Sequence, residues 1–346
     1  MGKLPRSHLQ NSQKVCEMKS VLRGPFIAGE RVQLTGPKGR LNTITLRLGA
    51  VFGTHRGDIR HDDIIGKPDG SVIANQTGVE FLALRPLLND FVLSMPRGAA
   101  IVYPKDAASI VTMGDIFPGA HVVEAGVGSG ALSMYLLRAI GDSGSLTSFE
   151  RRAEFADIAK ANVATQFGFV PNNWEIKIGS LQDELSEVVE PGSIDRVVLD
   201  MLAPWECIDA VSKALAPGGV LICYVATVTQ LSRVAEEIKT TGNYADPEAF
   251  ESLVRGWHLQ GLAVRPEHRM GGHTGFLLTA RRLAPGTVLP SFSRRAKPEF
   301  ADEDLAVWNP EHLGERSVSE KRLRKSVRSA QSAASSKSQA LDNSDE

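Results

Sequence analysis

From about residue 100 to residue 282, the sequence alternates between short apolar runs and segments with a helical apolar period. The runs HVVEAG, SLTSFE, WEIKIG, IDRVVLD and VLICYV are typical of buried strands, and helical segments such as ALSMYLLRAI lie between them. Strands that alternate with helices form parallel sheets, because each helix carries the chain back across one face of the sheet. The last two runs, WHLQGLAVR and TGFLLTARR, predict an antiparallel hairpin. The alternation therefore predicts an α/β fold, a doubly wound sheet closed by that hairpin.

The region before this alternation has a different pattern. Residues 1–20 are polar and predict a flexible arm, whereas residues 21–78 contain short β-rich runs that Gly and Pro interrupt. Such spacing predicts a small antiparallel sheet or barrel. Residues 80–97 predict a helix that opens the α/β domain, for which we expect the bounds 79–289.

The segment 290–346 is poor in aromatic and aliphatic residues and rich in serine and charge. Such a composition buries too little apolar surface to offset the entropy of ordering, so we expect a disordered tail. Its basic residues between 316 and 337 are compatible either with nonspecific RNA affinity or with a solubilising role.

Composition excludes several classes of protein. No apolar run approaches the roughly 20 residues that a membrane helix requires, and the polar N-terminus lacks the apolar stretch of a signal peptide. The three cysteines, Cys16, Cys207 and Cys223, are far apart, which argues against structural zinc, any other metal site and a disulfide framework. We expect a soluble cytoplasmic protein without a membrane partner.

The formal net charge of −1 conceals an asymmetry between the ends of the chain. Residues 1–60 carry eleven Lys and Arg against three acids, a net charge of +8. A cluster of this kind suits a polyanionic partner, and it is also compatible with an ordinary solvated surface.

The strongest local motif is V-V-E-A-G-V-G-S-G-A-L, residues 122–132. It describes a buried strand that enters a glycine-rich turn and then a helix, where free helix N–H groups favour the negative end of a ligand. Its spacing is G-x-G-x-G after an acid, unlike the G-x-G-x-x-G of dinucleotide-binding proteins. A purely structural tight turn is the alternative.

Polar groups also follow the next three strands. Glu150 ends the second strand, Ser180 and Leu181 follow the third, and Asp200 ends the fourth. In open α/β sheets the carboxyl ends of the strands form the ligand crevice, so these groups are expected to meet there. A helix-start role for Glu150 and a helix-capping role for Asp200 remain alternatives.

Together these features resemble class I S-adenosylmethionine methyltransferases, which have a Rossmann-like sheet. More specifically, the chain resembles the bacterial type of tRNA adenine-N1 methyltransferases that act on adenine 58 of the T-loop. The additional matches are R-P-x-x-x-D-x-x-x-S-M-P-R-G from Arg85 to Gly98, I-V-Y-P-K-D from Ile101 to Asp106, LDMLAPW and HRMGGHTGFL. The resemblance covers roughly residues 20–285. It departs from many methyltransferases at Ser180, where they place an acid for the adenine amine of the cofactor.

The resemblance implies a set of cofactor-binding residues for S-adenosyl-L-methionine. They are Gly126, Gly128, Ser129, Gly130, Ala131 and Leu132 for its amino-acid end, Glu150 and Phe155 for its ribose, and Ser180 and Leu181 for its adenine. Asp200 adjoins the same site and is the expected catalytic residue, since it would accept from the exocyclic amine of the substrate adenine and stabilise its developing charge.

The substrate side is also implied by the resemblance. Tyr103 is the second expected catalytic residue, stacking on the flipped adenine or lying at its edge, although a lone Tyr is otherwise more typical of a core or a rim. Pro204 and Trp205 are expected to shape the same pocket, and His273 to line it or to contact phosphate, with a structural His as the alternative. Arg40 and Arg47 of the small β domain are expected to contact tRNA.

Bacterial members of this family are homotetramers, so we expect self-association. Three other functions compete: another class I methyltransferase, such as a protein-carboxyl one; a non-catalytic RNA-binding subunit; and a nicotinamide dehydrogenase. LDMLAPW and Y-P-K-D argue against the first, and the retained glycines and Asp200 against the second. The glycine spacing and the closing hairpin argue against the third.

Overall fold

A computed structural model of the chain describes residues 23–290, 301–308 and 318–342. The arm predicted for residues 1–20 lies outside the described residues. The chain divides into two compact units, the first formed by residues 1–98, 157–171 and 320–346 and the second by residues 99–156 and 172–319. Each unit is described by itself.

The first unit is built on an antiparallel sheet with the strand order β2-β1-β6-β5 and a separate β3–β4 hairpin. The strands are β1 (Arg31–Thr35), β2 (Leu41–Thr45), β3 (Val51–Thr54), β4 (Gly57–Arg60), β5 (Ser71–Ala74) and β6 (Glu80–Leu84), followed by helix α1 (Leu88–Ser94). Apolar side chains alternate along the strands, as on β6, where Phe81 and Ala83 are buried and their neighbours are exposed. The alternation buries one face of the sheet in a core that contains Phe26, Leu34 and Ile59.

The helix predicted for residues 80–97 is wrong over its first half, where the structure has β6. Pro86 explains the difference, because a residue before proline is driven away from helical backbone and Arg85 occupies that position. The helix therefore begins only at Leu88.

The second unit contains a seven-stranded sheet with the order β12-β15-β11-β10-β7-β8-β9. Its strands are β7 (His121–Ala125), β8 (Ser145–Glu150), β9 (Trp174–Ile178), β10 (Ile194–Asp200), β11 (Leu215–Val225), β12 (Glu248–Phe250) and β15 (Phe276–Arg281). Its helices are α2 (Pro104–Met113), α3 (Ala131–Ile140), α5 (Leu181–Val188), α6 (Ile208–Ala214) and α7 (Val228–Thr241), and helix α4 (Ala153–Phe167) begins in this unit and ends in the first. Strands β7 to β11 pair in parallel, and β15 runs antiparallel to β11. The predicted α/β fold is confirmed.

One strand pairing differs from the prediction. The closing strand β15 pairs with β12, whereas the run WHLQGLAVR folds on itself as a separate hairpin of β13 (Trp257–Gln260) and β14 (Ala263–Pro266). The turn at Gly261, where φ is +54°, allows this run to reverse within itself.

The tail expected to be disordered contains helices α8 (Asp302–Trp308) and α9 (Glu320–Asp342). Small residues recur along α9 at helical spacing, and Ala330, Ala333 and Lys337 are buried. Lys337 donates to the carbonyl of Thr165 at 2.7 Å, within the first unit. Helix α9 is therefore buried by contacts with residues that are distant in the sequence, and large apolar side chains of its own are not needed. Among the described residues, no helix combines the length and apolarity needed to cross a bilayer.

Candidate active site

The glycine-rich turn lies at the carboxyl end of strand β7, in the interior of the sheet. Gly126, Gly128 and Gly130 all have positive φ, and α3 begins at Ala131 directly after them. A Cβ at Gly126 would lie 1.8 Å from the carbonyl oxygen of Asp200, so only glycine permits this approach of the turn to strand β10. The turn and Asp200 are therefore held together by backbone packing.

Glu150 is anchored against the same turn. Its carboxylate accepts hydrogen bonds from the backbone N–H groups of Gly128 and Arg152, each at 3.1 Å, and the residue is almost fully buried. Each oxygen retains acceptor capacity after these bonds. Glu150 can therefore receive two hydroxyl groups at this edge of the sheet.

Asp200 lies in an environment that disfavours its charge. Burial, and then the neighbouring carboxylates of Glu124 and Glu150, raise the pKa of Asp200 to about 7. A carboxyl group with a pKa near neutrality can both hold and release a proton at physiological pH. This is the property expected of a group that moves a proton.

Glu124 is a residue whose individual role the sequence did not reveal. It is fully buried on β7, and burial raises its pKa to about 7. One carboxylate oxygen accepts from Ser133 and Ser148 at 2.7 Å each, whereas the other, Oε1, has no hydrogen-bond partner among the described residues. The sequence signal for Glu124 is its position as the acid at the start of E-x-G-x-G-x-G, but the motif alone assigns this acid no role in the site.

The glycine-rich turn and Asp200 border a narrow cleft. It is lined by Ala100, Ile101, Val102, Gly126, Val127, Gly128, Ser129, Ala131, Leu132 and Asp200. Its free volume of about 10 Å³ is roughly the space that one water molecule needs.

The chemistry of the cleft fits S-adenosyl-L-methionine. Asp200 borders the cleft, and the neighbouring charges of Glu124 and Glu150 raise its pKa. A cationic sulfonium or ammonium group near Asp200 would relieve that repulsion. The glycine-rich backbone at the start of α3 provides N–H groups for a carboxylate. The residues present thus suit a ligand that carries positive and negative groups together.

Three of the expected cofactor residues follow the neighbouring strands β8 and β9 in the chain. Ser180 precedes α5 and is half-buried, whereas Leu181 is buried. Phe155 is also buried, and the Arg152 guanidinium lies 3.9 Å from its ring centroid. Phe155 is thus covered on that face by Arg152, and Ser180 is the more accessible of the three.

An acid lies close to Ser180, although none occupies the position itself. A Cβ at Gly179 would lie 1.7 Å from a carboxylate oxygen of Glu184, which shows how closely that carboxylate approaches the end of β9. The Gly179 N–H donates to the Glu150 carbonyl at 2.9 Å. The sequence does not predict Glu184 as a site residue, because it lies one helical turn after Ser180, the position at which many methyltransferases have an acid.

Tyr103 precedes α2 and is 41% exposed. Its carbonyl accepts from the N–H groups of Asp106 and Ala107, each at 2.9 Å, which fixes the residue at the start of the helix. The exposed ring is available to a ligand. The positions of Tyr103 and Asp106 are therefore linked through the first turn of α2.

Asp106 is the centre of a polar network that the sequence did not predict. It is fully buried, and its carboxylate accepts from Lys105 at 2.6 Å, Ser252 at 3.0 Å and Thr274 at 2.6 Å. Tyr224 donates to the Thr274 carbonyl at 3.0 Å and stays protonated because burial raises its pKa. The network joins α2, the segment after β12 and the segment before β15.

The network also reaches the strand beside Asp200. Tyr224 on β11 is the cross-strand partner of Asp200 on β10. The side chains that fix the start of α2, and hence Tyr103, are therefore attached to the strand next to the carboxylate of the cleft. This connection gives a structural reason why Tyr103 and Asp106 occur together in the motif I-V-Y-P-K-D.

Comparison with known proteins identifies the family. The sequence model described as TrmI-like N-terminal matches residues 24–73, and the one described as tRNA methyltransferase complex GCD14 subunit matches residues 79–265. The tRNA (adenine(58)-N(1))-methyltransferase TrmI of Thermus thermophilus is 31% identical over 263 residues, which cover 75% of this chain and 97% of the relative. The chain belongs to this family of tRNA methyltransferases.

Solved structures agree on the fold. A structure titled SAM-dependent O-methyltransferase from Thermotoga maritima is 30% identical with a TM-score of 0.70, covering 76% of this chain and 96% of that one. TrmI from Aquifex aeolicus is 27% identical with a TM-score of 0.66, covering 75% of this chain and all of the other. The predicted resemblance, the class I methyltransferase fold and S-adenosyl-L-methionine as the cofactor are confirmed. This family member is an enzyme that methylates tRNA.

Pro204 and Trp205 lie in a short 3₁₀ helix, Pro204–Cys207, just after Asp200. Pro204 is buried, and Trp205 is half-buried with the Arg233 guanidinium 3.9 Å from its ring centroid. One face of Trp205 is therefore occupied by Arg233. Both residues are close in the chain to Asp200, as the motif LDMLAPW predicts.

His273 lies near the carboxyl end of β11. Its ring nitrogens pair with Glu251 at 3.0 Å and with the carbonyl of Ala226 at 3.2 Å, and these two contacts raise its pKa. Its ring also packs against Phe276 at a centroid distance of 4.3 Å. His273 thus has structural partners on both nitrogens.

Arg40 and Arg47 belong to the first unit and differ in their surroundings. Arg47 donates to the Ser332 hydroxyl of α9 at 3.3 Å. Arg40 lines a cavity of about 430 Å³ and has no ion-pair partner in the described parts of the chain. The sequence analysis predicts the same role, contact with tRNA, for both arginines, but their surroundings in the structure differ.

Proposed function

We propose that this chain transfers a methyl group from S-adenosyl-L-methionine to N1 of adenine 58 in the T-loop of tRNA, giving N1-methyladenosine. The observation that carries the proposal is the position of Asp200 beside the glycine-rich turn with a pKa of about 7. The identity of the tRNA nucleotide follows the relative in Thermus thermophilus, which is named for adenine 58.

The cofactor is held by the residues at the ends of β7, β8 and β9. The backbone from Gly126 to Leu132 receives its amino-acid end, Glu150 its ribose hydroxyls, and Ser180 and Leu181 its adenine, with Phe155 supporting the wall behind Glu150. When bound, it supplies an electrophilic methyl group on a positively charged sulfur. Glu124, buried behind the turn, contributes negative charge that favours such a cation.

Asp200 acts on the substrate adenine. Its carboxylate accepts a hydrogen bond from the exocyclic amine and thereby aligns N1 for in-line attack. As the bond from N1 to the methyl carbon forms, the bond from that carbon to sulfur breaks and its electron pair stays on sulfur. Positive charge thereby passes to the adenine ring, and the fixed carboxylate of Asp200 stabilises that charge most when it appears. Asp200 then takes a proton from the exocyclic amine of the cationic methylated adenine, for which a pKa of about 7 is suited.

Tyr103 forms the other side of the adenine site. A base in the T-loop must leave its stack before its N1 can react, and an aromatic ring offsets part of the cost of unstacking. The exposed ring of Tyr103 provides such a surface. Pro204 and Trp205 shape the pocket near Asp200, and His273 lies at its rim.

The small β domain, residues 21–78, grips tRNA through phosphate contacts from Arg40 and Arg47. Such contacts are insensitive to sequence and sensitive to salt. The net charge of +8 on residues 1–60 supports this role. The α/β domain, residues 79–289, performs catalysis in the cytoplasm.

The chain assembles with copies of itself as a homotetramer. The β13–β14 hairpin supports this proposal, because its paired residues Leu259 and Val264 are 73% and 57% exposed and Trp257 is 56% exposed on the same face. An isolated two-stranded hairpin is marginally stable in water and gains from being covered. A solution mass four times that of the chain supports the proposal, and a monomer mass refutes it.

The experiment that tests the activity uses an unmodified tRNA transcript with labelled S-adenosyl-L-methionine, followed by nucleoside analysis. A matched transcript with guanosine at position 58 is the control. The proposal predicts N1-methyladenosine from the first transcript and background label from the second. Equal labelling of both would contradict the assignment of the nucleotide.

A further inference from the structure

A cavity in the first unit is lined by none of the residues assigned to catalysis. It has a volume of about 430 Å³, within the range of roughly 300–1,000 Å³ that is usual for small-molecule sites. It is lined by Gly36, Pro37, Lys38, Arg40, Asn42, Phe52, Gly53, Thr54, His55, Arg56 and Phe81. These residues come from the turn between β1 and β2, from β2 itself, from the β3–β4 hairpin and from β6.

The lining of the cavity carries positive charge and no negative charge. Lys38, Arg40 and Arg56 line it, and its lining contains no carboxylate. None of the three cationic groups has a hydrogen-bond or ion-pair partner in residues 23–290, 301–308 and 318–342. The cavity therefore presents unneutralised positive charge around a concave surface.

Other arginines of the same unit use their charge within the fold. Arg31 donates to the Ser94 carbonyl at 2.7 Å, Arg60 pairs with Asp62 at 3.5 Å, and Arg85 pairs with Glu30 at 3.0 Å. The contrast shows that the cations of the cavity do not serve internal packing. They are available to an anionic ligand.

The walls of the cavity add a flat apolar surface and amide groups. Phe52 is half-buried, Phe81 packs against Gly36 so closely that a Cβ there would lie 2.6 Å from the ring, and the Asn42 amide is half-buried. Lys38 has a φ of +66°, in the left-handed region that residues with a Cβ adopt uncommonly.

We propose that this cavity binds one unstacked nucleotide of tRNA, with its base on Phe52 and its flanking phosphates on Lys38, Arg40 and Arg56. Aromatic rings stack on any base, and Arg and Lys neutralise phosphates, so the combination selects a nucleic-acid strand over a simple anion. This inference rests on the proposed tRNA substrate and adds a second point of attachment, distinct from the adenine that reacts.

The test measures the affinity of the full chain for unmodified tRNA over a range of salt concentrations. The variants are Phe52→Leu, which keeps an apolar side chain toward the core, and the combined Lys38→Gln, Arg40→Gln and Arg56→Gln. Arg60→Gln, on the same hairpin and paired with Asp62, is the matched control. Affinity for S-adenosyl-L-methionine without tRNA and the thermal midpoint report on folding.

The triple variant is expected to bind tRNA at least about 10-fold more weakly, with the slope of log affinity against log salt reduced by about 2, since each phosphate contact contributes about 0.7–0.9. Phe52→Leu is expected to weaken binding about 5-fold without changing the slope, because it removes stacking alone. Arg60→Gln is expected to behave as wild type.

Wild-type affinity in both the triple variant and Phe52→Leu would overturn the inference. Weakening in the triple variant with none in Phe52→Leu would also overturn it, because it would indicate a diffuse basic surface rather than a nucleotide site. Failure of the wild-type protein to methylate tRNA would instead refute the proposed function, so the two failures are distinguishable.

Discussion

Replacement of Asp200 by asparagine tests whether the carboxylates of the cleft are held at a cost in stability. The pKa of Asp200 is raised from 3.8 to about 7 in the folded chain. A raised pKa in an acid means that the folded state binds the proton more tightly than the unfolded state does. The contribution of Asp200 to the free energy of unfolding is therefore most favourable below pH 4 and is lost as the pH rises from about 4 through 7.

The size of the effect on the free energy of unfolding follows from the shift in the pKa of Asp200. Three pKa units at 1.36 kcal/mol each correspond to an upper limit of about 4 kcal/mol at pH 8, and less than half of that at pH 5. Asp200 borders the cleft and is partly solvated, so we expect about 1–2 kcal/mol, or a rise of roughly 3–6 °C in the thermal midpoint of Asp200→Asn at pH 8. The amide keeps the shape of the side chain and removes its charge.

The assay is thermal unfolding without cofactor at pH 5 and pH 8, with Asp142→Asn, at an exposed position, as the control. The gain for Asp200→Asn should be larger at pH 8 than at pH 5, while methyl transfer falls by at least about 10²-fold. A midpoint at pH 8 equal to or below that of wild type, or a gain that does not depend on pH, would refute the reasoning.

Four further sets of substitutions probe the rest of the site and the expected tRNA contacts. Glu150→Ala should weaken cofactor binding at least about 10-fold by calorimetry, because it removes the acceptor for the ribose hydroxyls, and unchanged affinity would contradict its role. Tyr103→Ala should lower the single-turnover rate about 10-fold or more while Tyr103→Phe retains most of it, since stacking needs the ring; equal losses would exclude stacking. Asp106→Asn should reduce kcat more than cofactor affinity, because it loosens the start of α2, and an unaltered kcat would remove that role. Charge reversal at Arg40 or Arg47 should weaken tRNA binding in a salt-dependent way without affecting cofactor affinity, and unchanged tRNA affinity at low and moderate salt would refute the contact.

The sequence predicted the α/β fold and the neighbourhood of the cleft because both depend on local patterns. Strand and helix periods mark each element, and the carboxyl ends of parallel strands meet at one edge of the sheet. Gly126 and Asp200 could therefore be expected near each other, and the structure brings their backbones into contact.

The polar network around Asp106 could not be predicted in the same way. Asp106 bonds to Ser252 and Thr274, which are 146 and 168 residues away in the chain. Nothing in the local pattern of α2 identifies such partners. Only the packing of the segments around β12 and β15 brings these side chains to the start of the helix.

Helix α9 illustrates a limit of composition. Its residues are small or charged, which is typical of disorder, yet Ala330 and Lys337 are buried in the first unit. Small side chains permit close approach of the helix, as at Gly29, where a Cβ would lie 2.3 Å from the backbone of Lys337. The stabilising contacts are made with other residues of the first unit, and the composition of the helix itself does not reveal them.

The central claim is that this chain methylates N1 of a tRNA adenine and that Asp200 is the group that makes the reaction fast. The most direct measurement is single-turnover methyl transfer to unmodified tRNA by wild type and by Asp200→Ala, with mass analysis of the product nucleosides. The account predicts N1-methyladenosine from wild type and a rate at least about 10²-fold lower from the variant, with tRNA still bound. A different methylated nucleoside, or an Asp200→Ala rate equal to that of wild type, would contradict it.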